Sequence, residues 1–241
     1  MNKTPIIILT GPTAVGKTNL SIDLAKKLNA EIISADSMQI YKYMDIGSAK
    51  VTEEEMQGVK HYLVDEVTPD YAFSVSEFQQ RAYNYIDEIT NKDKKVLVTG
   101  GTGLYLNSLI YNMDFAKSDA NSEIREKLRV ELEENGIDYM HNKLRELDPE
   151  ASERIHKNNT KRVIRAIEVC LSGEKMNDFS NDLKINEKYK PIIIVLNRER
   201  EHLYERINKR VDIMMESGLI DEVKKLLEMG YTKDLISMQG I

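Results

Sequence analysis

The feature that most constrains this chain is a glycine-bounded octapeptide that matches the phosphate-loop pattern G-x-x-x-x-G-K-[ST]. An apolar run, Ile6–Thr10, precedes it, and an amphipathic helix is predicted over Lys17–Leu28. Glycines allow backbone N–H groups to turn toward an anion, and a helix N-terminus adds partial positive charge. The segment therefore predicts a diphosphate or triphosphate site formed by Gly11, Pro12, Thr13, Ala14, Val15, Gly16, Lys17 and Thr18.

Short apolar runs alternate with amphipathic segments along most of the chain. β-branched residues bounded by turns or charges predict buried strands at Ile6–Thr10, Glu31–Ala35, Tyr62–Val64, Val96–Thr99 and Ile192–Leu196. Helical spacing is found at Lys17–Leu28, Ser76–Thr90 and Leu104–Tyr111. This alternation predicts an α/β fold, with a P-loop NTPase-like parallel sheet that carries helices on both faces.

One long region interrupts that alternation. Asp119–Leu147 is highly charged, has helical periodicity and contains no strand pattern. We therefore predict a discontinuous core domain, residues 1–114 and 187–241, with a mainly helical inserted subdomain at residues 115–186. Within this plan Asn177–Lys190 is expected to be a loop, and Arg200–Met229 to be one long helix punctuated by Gly218.

Composition narrows the class of protein. Of the 241 residues, 41% are hydrophobic and 31% are charged, which is typical of a globular protein. The single cysteine, Cys170, excludes an internal disulfide and fits a reducing compartment. No apolar run approaches the roughly 18 residues of a membrane span, so we predict a cytoplasmic protein without membrane contact.

The charge distribution is uneven. The net charge of −6 argues weakly against a nucleic-acid partner. Residues 154–165, however, carry five cations and no acid. A helix is predicted over Thr160–Leu171, with its cations Lys161, Arg162 and Arg165 close together. This clustering favours contact with phosphate or RNA, and a solvated face is the alternative. The apolar stripe of the helix consists of Val163, Ile164, Ile167 and Leu171.

An acid follows the second predicted strand. Ligands of open α/β sheets collect at the carboxyl ends of strands, so Asp36 is expected to face the phosphate loop. It could hold metal-bound water or accept a proton, and the alternative is that it caps the next turn. Gln39 adds an amide suited to an adenine edge.

A second glycine loop, Gly100–Gly103, follows the fourth strand. It is similar to a dinucleotide fingerprint, but that pattern requires glycine at position 106, which is Leu106 here. We instead expect a loop that lets the backbone and Thr102 approach a substrate, with a simple tight turn as the alternative.

Two arginines after the last strand are four residues apart and are expected to share a helix face. At this place in a P-loop fold, Arg206 and Arg210 could reach leaving phosphates. Glu205 and Asp212 could instead pair with them at the surface.

In combination, these segments resemble the tRNA dimethylallyltransferase (tRNA isopentenyltransferase) family along nearly the whole chain. The resemblance lies in seven ordered motifs: residues 11–18, 36–41 with 44–50, 61–65, 100–105, 148–149 with 154–155, 161–169, and 203–207 with 210–211. The phosphate loop alone would not have identified the family.

The resemblance implies dimethylallyl diphosphate as donor, Mg²⁺ as cofactor, and the adenine just 3′ of a tRNA anticodon as acceptor. It implies Asp36 as proton acceptor, Thr13, Lys17 and Arg210 as further catalytic residues, Thr18 as metal ligand and the insertion as the part that grips the anticodon arm. The implied tRNA contacts are Asp36, Ser37, Met38, Gln39, Thr102, Arg125, Lys161, Arg162, Val163, Ile164 and Arg165. We also predict a monomer.

The chain departs from the family pattern in three places. Val15 stands where serine is frequent, Lys161 stands where glutamine is common, and the sequence stops at Ile241 in a segment that family members continue. We therefore expect a C-terminally truncated member. Three alternatives remain at this stage: a small-molecule P-loop kinase, a truncated non-catalytic RNA-binding form, and an enzyme that prenylates free adenine nucleotides.

Overall fold

The computed structural model describes residues 3–113, 115, 122–173 and 183–240. The chain divides into two compact units. The first unit consists of Met1–Asn112 and Lys184–Ile241, and the second of Met113–Leu183. Of the loop expected at residues 177–190, residues 177–182 lie outside the described residues.

The first unit is built on a parallel sheet. Its five strands among the described residues are Thr4–Thr10 (β1), Ala30–Ser34 (β2), His61–Tyr62 (β3), Lys95–Gly100 (β4) and Tyr189–Val195 (β5). Their order is β3-β2-β4-β1-β5, and every pairing is parallel. The predicted α/β fold class is confirmed.

The strand register brings three chain segments to one edge of the sheet. Thr10 pairs with Gly100, and Ser34 pairs with Thr99. The Thr10 hydroxyl also donates to the Gly100 carbonyl at 2.9 Å. Because the strands are parallel, the residues that follow β1, β2 and β4 all emerge at this edge.

Helices cover both faces of the central strands. They are Lys17–Leu28 (α1), Glu53–Met56 (α2), Val75–Thr90 (α3) and Gly103–Ile110 (α4). On one face, Ile22 and Ala25 of α1 pack with Leu9, Ile32 and Leu97. On the other face, α3 and α4 supply Phe78, Ile86 and Leu109 to a larger core around Ile8 and Val98. Burial of these apolar side chains is the main stabilising term for the sheet.

The second unit is helical throughout its described elements. They are Ser122–Leu147 (α5), Pro149–Arg154 (α6) and Thr160–Leu171 (α7). Gly136 interrupts α5 with φ 82° and ψ 177°. Leu128, Met140 and Leu144 of α5 pack with Val163 and Ile167 of α7.

Two helices follow β5. They are Arg200–Glu216 (α8) and Leu219–Glu228 (α9), and a 3₁₀ helix at Ile236–Gln239 comes after them. The expectation of one long helix is wrong, because Gly218 adopts φ 98° and caps the start of α9. Among the described residues, no helix is both long and apolar enough to cross a bilayer.

The last strand corrects two further predictions. It begins at Tyr189, so residues 189 and 190 belong to the sheet rather than to a loop. Its isoleucines were expected to be buried, but Ile192 and Ile193 are 49% and 48% exposed. The reason is position, since β5 is the edge strand and pairs on one side only within the described sheet.

Candidate active site

The phosphate loop depends on three residues with positive φ. Gly11 has φ 150° and Gly16 has φ 109°, while Ala14 between them has φ 62°. A Cβ at Gly11 would lie 2.5 Å from the Leu196 carbonyl oxygen, so a side chain cannot fit there. The chain therefore turns sharply between β1 and α1, as an anion-binding loop requires.

Lys17 lies at the centre of this loop. Its ammonium donates to the carbonyls of Gly11 and Pro12, both at 2.9 Å. Burial lowers the pKa of Lys17, the nearby carboxylate of Asp36 acts in the opposite direction, and Arg210 lowers it further. These couplings indicate that two cations and one carboxylate share a partly desolvated region.

Two arginines of α8, Arg206 and Arg210, lie near the same loop. Arg206 donates from Nε to the Ala14 carbonyl at 2.7 Å. Burial also lowers the pKa of Arg210, and Asp36 opposes this effect. Helical spacing explains the pair, since residues four apart project in the same direction.

Asp36 serves the turn that follows β2. Its Oδ1 accepts from the backbone N–H of Met38 at 2.9 Å and of Gln39 at 3.4 Å. Oδ1 therefore caps the turn, as the alternative interpretation expects. The same carboxylate also raises the pKa values of Lys17 and Arg210, against the effect of burial. Oδ2 is the oxygen that remains for chemistry.

The second glycine loop packs against the Asp36 segment. A Cβ at Gly100 would lie 2.1 Å from the Ala35 carbonyl oxygen, so glycine is required there for packing. Thr102 accepts at Oγ1 from the Ser37 backbone N–H at 3.1 Å. A Cβ at Gly101 would lie 4.0 Å from the Lys17 ammonium, so this loop borders the phosphate loop.

The buried side chain of Lys50 holds together the segment that follows Asp36. The Lys50 ammonium donates to the Tyr41 carbonyl at 2.7 Å, to Asp45 Oδ1 at 2.6 Å and to Asp65 Oδ1 at 2.5 Å. Gln39 donates from Nε2 to the Ala49 carbonyl at 3.3 Å. Sequence reasoning did not single out Lys50, because a buried lysine has no sequence signature of its own.

The cations of the second unit differ in their environments. Lys161 and Arg162 are exposed on α7. Arg125 and Arg165 instead contact the carboxylate of Glu168, at 2.9 Å and 3.1 Å, and this carboxylate is 2% exposed. Both arginines therefore have a structural role in this ion-pair cluster, in addition to the RNA contact that is expected of them.

Two expected contact residues have buried side chains. Val163 and Ile164 belong to the core of the second unit, so their side chains are not available at its surface. Apolar periodicity explains this position, since both residues lie on the stripe that packs against α5. Leu171, the last residue of the expected stripe, is 49% exposed.

The residues at the loop can be compared with what Mg²⁺ requires. The described residues contain no cluster of three His, Cys, Asp or Glu side chains that could hold a metal. Thr18 is exposed in the first turn of α1. Mg²⁺ usually takes few protein ligands, with water and substrate phosphates completing its shell, so a single hydroxyl beside a phosphate loop fits.

Comparisons with known proteins agree along the chain. The family model described as IPP transferase matches residues 39–241. A protein named tRNA dimethylallyltransferase from Clostridioides difficile is 79% identical over 100% of this chain and 78% of its own length. One from Alkaliphilus oremlandii is 57% identical over 99% of this chain and 77% of its own.

Solved structures give the same result. A tRNA delta(2)-isopentenylpyrophosphate transferase from Staphylococcus epidermidis superposes with a TM-score of 0.67 at 47% identity, covering 98% of this chain and 77% of that one. A eukaryotic dimethylallyltransferase acting on tRNA superposes with a TM-score of 0.81 at 31% identity, covering 98% and 59%.

Proposed function

The chain belongs to the IPP transferase family, and from this premise we propose that it transfers a dimethylallyl group from dimethylallyl diphosphate to tRNA. The acceptor in this proposal is the exocyclic N6 amine of the adenine 3′ of the anticodon. One observation carries it: the Lys17 ammonium lies inside the phosphate loop, bonded to the carbonyls of Gly11 and Pro12, with Asp36 and Arg210 close enough to act on its pKa.

The donor diphosphate binds in the loop formed by residues 11–18. As the allylic C–O bond breaks, negative charge grows on the leaving diphosphate, and Lys17, Arg210 and the loop amides stabilise that charge. The lowered pKa values of Lys17 and Arg210 support this assignment, because a bound diphosphate would offset their lost hydration. Arg206 contacts the loop itself, and Thr13 is exposed within it.

Thr18 would hold Mg²⁺ together with the diphosphate. When bound, the ion supplies charge neutralisation for the leaving group. The position of Thr18 in the first turn of α1, one residue after Lys17, supports this role.

The acceptor amine is a weak nucleophile, because its lone pair is conjugated with the adenine ring. Positioning therefore carries much of the rate. The amine nitrogen forms the new N–C bond as the diphosphate departs, and Asp36 accepts the proton that the amine loses. The adenine must leave its stack to reach this edge of the sheet. Gln39, bonded to Asp36, and Thr102, bonded to Ser37, are the residues that we expect to contact the base there.

RNA binding is assigned to both units. In the second unit, the exposed cations Lys161 and Arg162 contact phosphates of the anticodon arm, and the unit as a whole grips that arm. Arg125 and Arg165 hold Glu168 in addition to any RNA contact. The protein acts in this proposal as a cytoplasmic monomer.

A labelled-donor assay tests the proposal. The chain is incubated with radiolabelled dimethylallyl diphosphate and Mg²⁺, together with unmodified tRNA, AMP or no acceptor. Label in tRNA alone is expected, and a tRNA whose target adenine is replaced by guanine is the matched control. Label in AMP would instead identify a nucleotide prenyltransferase, and no transfer with tRNA would overturn the proposal.

A further inference from the structure

A short turn in the first unit encloses a carboxylate from a distant helix. The backbone N–H groups of Asp45 and Ile46 donate to Oε2 of Glu222 at 2.8 Å and 2.7 Å. The N–H of Gly47 donates to Oε1 at 2.9 Å. Three successive amides that converge on one anion form a backbone nest, and charge-assisted bonds of this kind are stronger than neutral ones.

The turn is closely packed against the helix that supplies this carboxylate. A Cβ at Gly47 would lie 3.2 Å from Leu219 Cδ1 and 3.4 Å from Glu222 Oε1. Inside the turn, Ala49 donates its N–H to the Ile46 carbonyl at 2.9 Å and adopts φ 43°. This left-handed conformation is unfavourable for alanine, so the surrounding bonds must hold it.

The same turn fixes the side chain of Gln39. Its Nε2 donates to the Ala49 carbonyl at 3.3 Å, which restrains the orientation of the side-chain amide and uses one of its donors. The Gln39 backbone N–H donates to Asp36 Oδ1 at 3.4 Å. A chain of contacts therefore runs from Glu222 through the turn to the side chain of Gln39, the residue whose backbone contacts the proposed proton acceptor.

We propose that Glu222 is a positioning residue for the acceptor base: its carboxylate holds the turn at Asp45–Gly47, and through the Ala49 carbonyl this turn orients the Gln39 amide. The inference rests on the proposed function, because the oriented amide has adenine as its partner. The hydrogen bonds described for Glu222 are to residues 45–47 and not to the loop at residues 11–18, so we expect donor binding to be independent of it.

Steady-state kinetics of Glu222→Ala tests this role. We expect the KM for tRNA to rise about tenfold, with an unchanged dissociation constant for dimethylallyl diphosphate. Glu222→Gln keeps one acceptor oxygen and should fall between the wild type and alanine. Glu228→Gln, on the exposed side of the same helix, is the matched control and should match the wild type. If Glu222→Ala does not fold, Glu222→Gln carries the test.

A double-mutant cycle separates positioning from general destabilisation. Because Glu222 acts through Gln39, Glu222→Ala combined with Gln39→Ala should raise the KM for tRNA no more than Gln39→Ala alone. Additive losses, or an equal loss of donor and tRNA affinity, would overturn the inference.

Hydrogen exchange provides a readout that needs no turnover. The amides of residues 45–47 should exchange at least about tenfold faster in Glu222→Ala, while those of residues 95–99 should not change. Equal exchange at residues 45–47 in both proteins would overturn the inference even if the wild type transferred no prenyl group. Inactivity of the wild type would count against the proposed function only.

Discussion

Cations lie both at the phosphate loop and on helix α7, but their burial and their partners differ. At the loop, Lys17 and Arg210 lose hydration, their pKa values fall, and both are coupled to Asp36. On α7, Arg165 contacts the buried carboxylate of Glu168, and Arg162 is exposed. Desolvated cations suit charge that develops during a reaction, whereas exposed cations suit the phosphates of a large polyanion.

The comparison shows that clustering of charge in the sequence does not define a role. Residues 154–165 form the most basic stretch, yet one of its arginines contributes to an internal ion-pair cluster. Lys17 and Arg210 are 193 positions apart in sequence and act on the same carboxylate. Burial and partners decide the role, and the following predictions test that distinction.

The largest effect is expected from Lys17→Met, which removes the loop cation and keeps most of the side-chain volume. Turnover of dimethylallyl diphosphate with tRNA should fall by about 10³-fold, because the leaving diphosphate loses the cation that lies within the loop. Lys27→Met, on an exposed turn of the same helix, is the control and should retain wild-type turnover. A loss below tenfold for Lys17→Met would show that the partly buried cation at the loop contributes no more to the reaction than an exposed one.

The next effect is expected from Asp36→Ala. Turnover should fall by about 10²-fold or more with little loss of tRNA affinity, as for a proton acceptor. Asp36→Asn keeps the oxygen that caps the turn, so it separates capping from proton transfer. If Asp36→Asn were as active as the wild type, the carboxylate would serve the turn alone.

A smaller effect is expected from Arg125→Ala, which leaves the buried Glu168 with one cation fewer. The free energy of unfolding should fall by about 2 kcal/mol, as for a lost hydrogen bond to a charged group, measured by denaturant titration. Arg129→Ala, an exposed arginine of the same helix, should change it little. A loss of tRNA affinity without a loss of stability would assign Arg125 to RNA, as the family resemblance implies.

The smallest effect is expected from Lys161→Ala combined with Arg162→Ala. At moderate salt, tRNA affinity should fall about tenfold, and the slope of log K against log salt should flatten by about 1.4. Donor affinity should not change. Arg129→Ala is again the control. An unchanged slope would identify these cations as a solvated face rather than an RNA contact.

Much of the fold follows from local patterns. The apolar runs before Gly11 and Gly100 predicted β1 and β4 to within two residues, and Thr160–Leu171 is α7 as predicted. Such elements can be found because side-chain periodicity reflects which face is buried. The edge position of β5 could not be found this way, since Ile192–Val195 are as apolar as a central strand.

The candidate site was only partly predictable. Asp36 and the loop at residues 11–18 follow strand ends, so their common edge could be inferred from topology rules. Lys50 and Glu222 carry no such signal, because a lysine or glutamate on an amphipathic segment is usually solvated. The burial of Lys50 and the backbone partners of both side chains arise only when the chain folds, since Glu222 meets Gly47 across 175 residues.

The sequence by itself determined the phosphate loop, the alternation of strands and helices and the family, because these depend on residues adjacent along the chain. The tertiary structure decided which charges are neighbours in space. It brings Asp36 close enough to Arg210 to affect its pKa, and it brings the turn at residues 45–47 into contact with Glu222. It also buries Val163 in the core of the second unit. The physical reason is that hydration loss and hydrogen-bond geometry depend on distances in space, which sequence spacing does not encode.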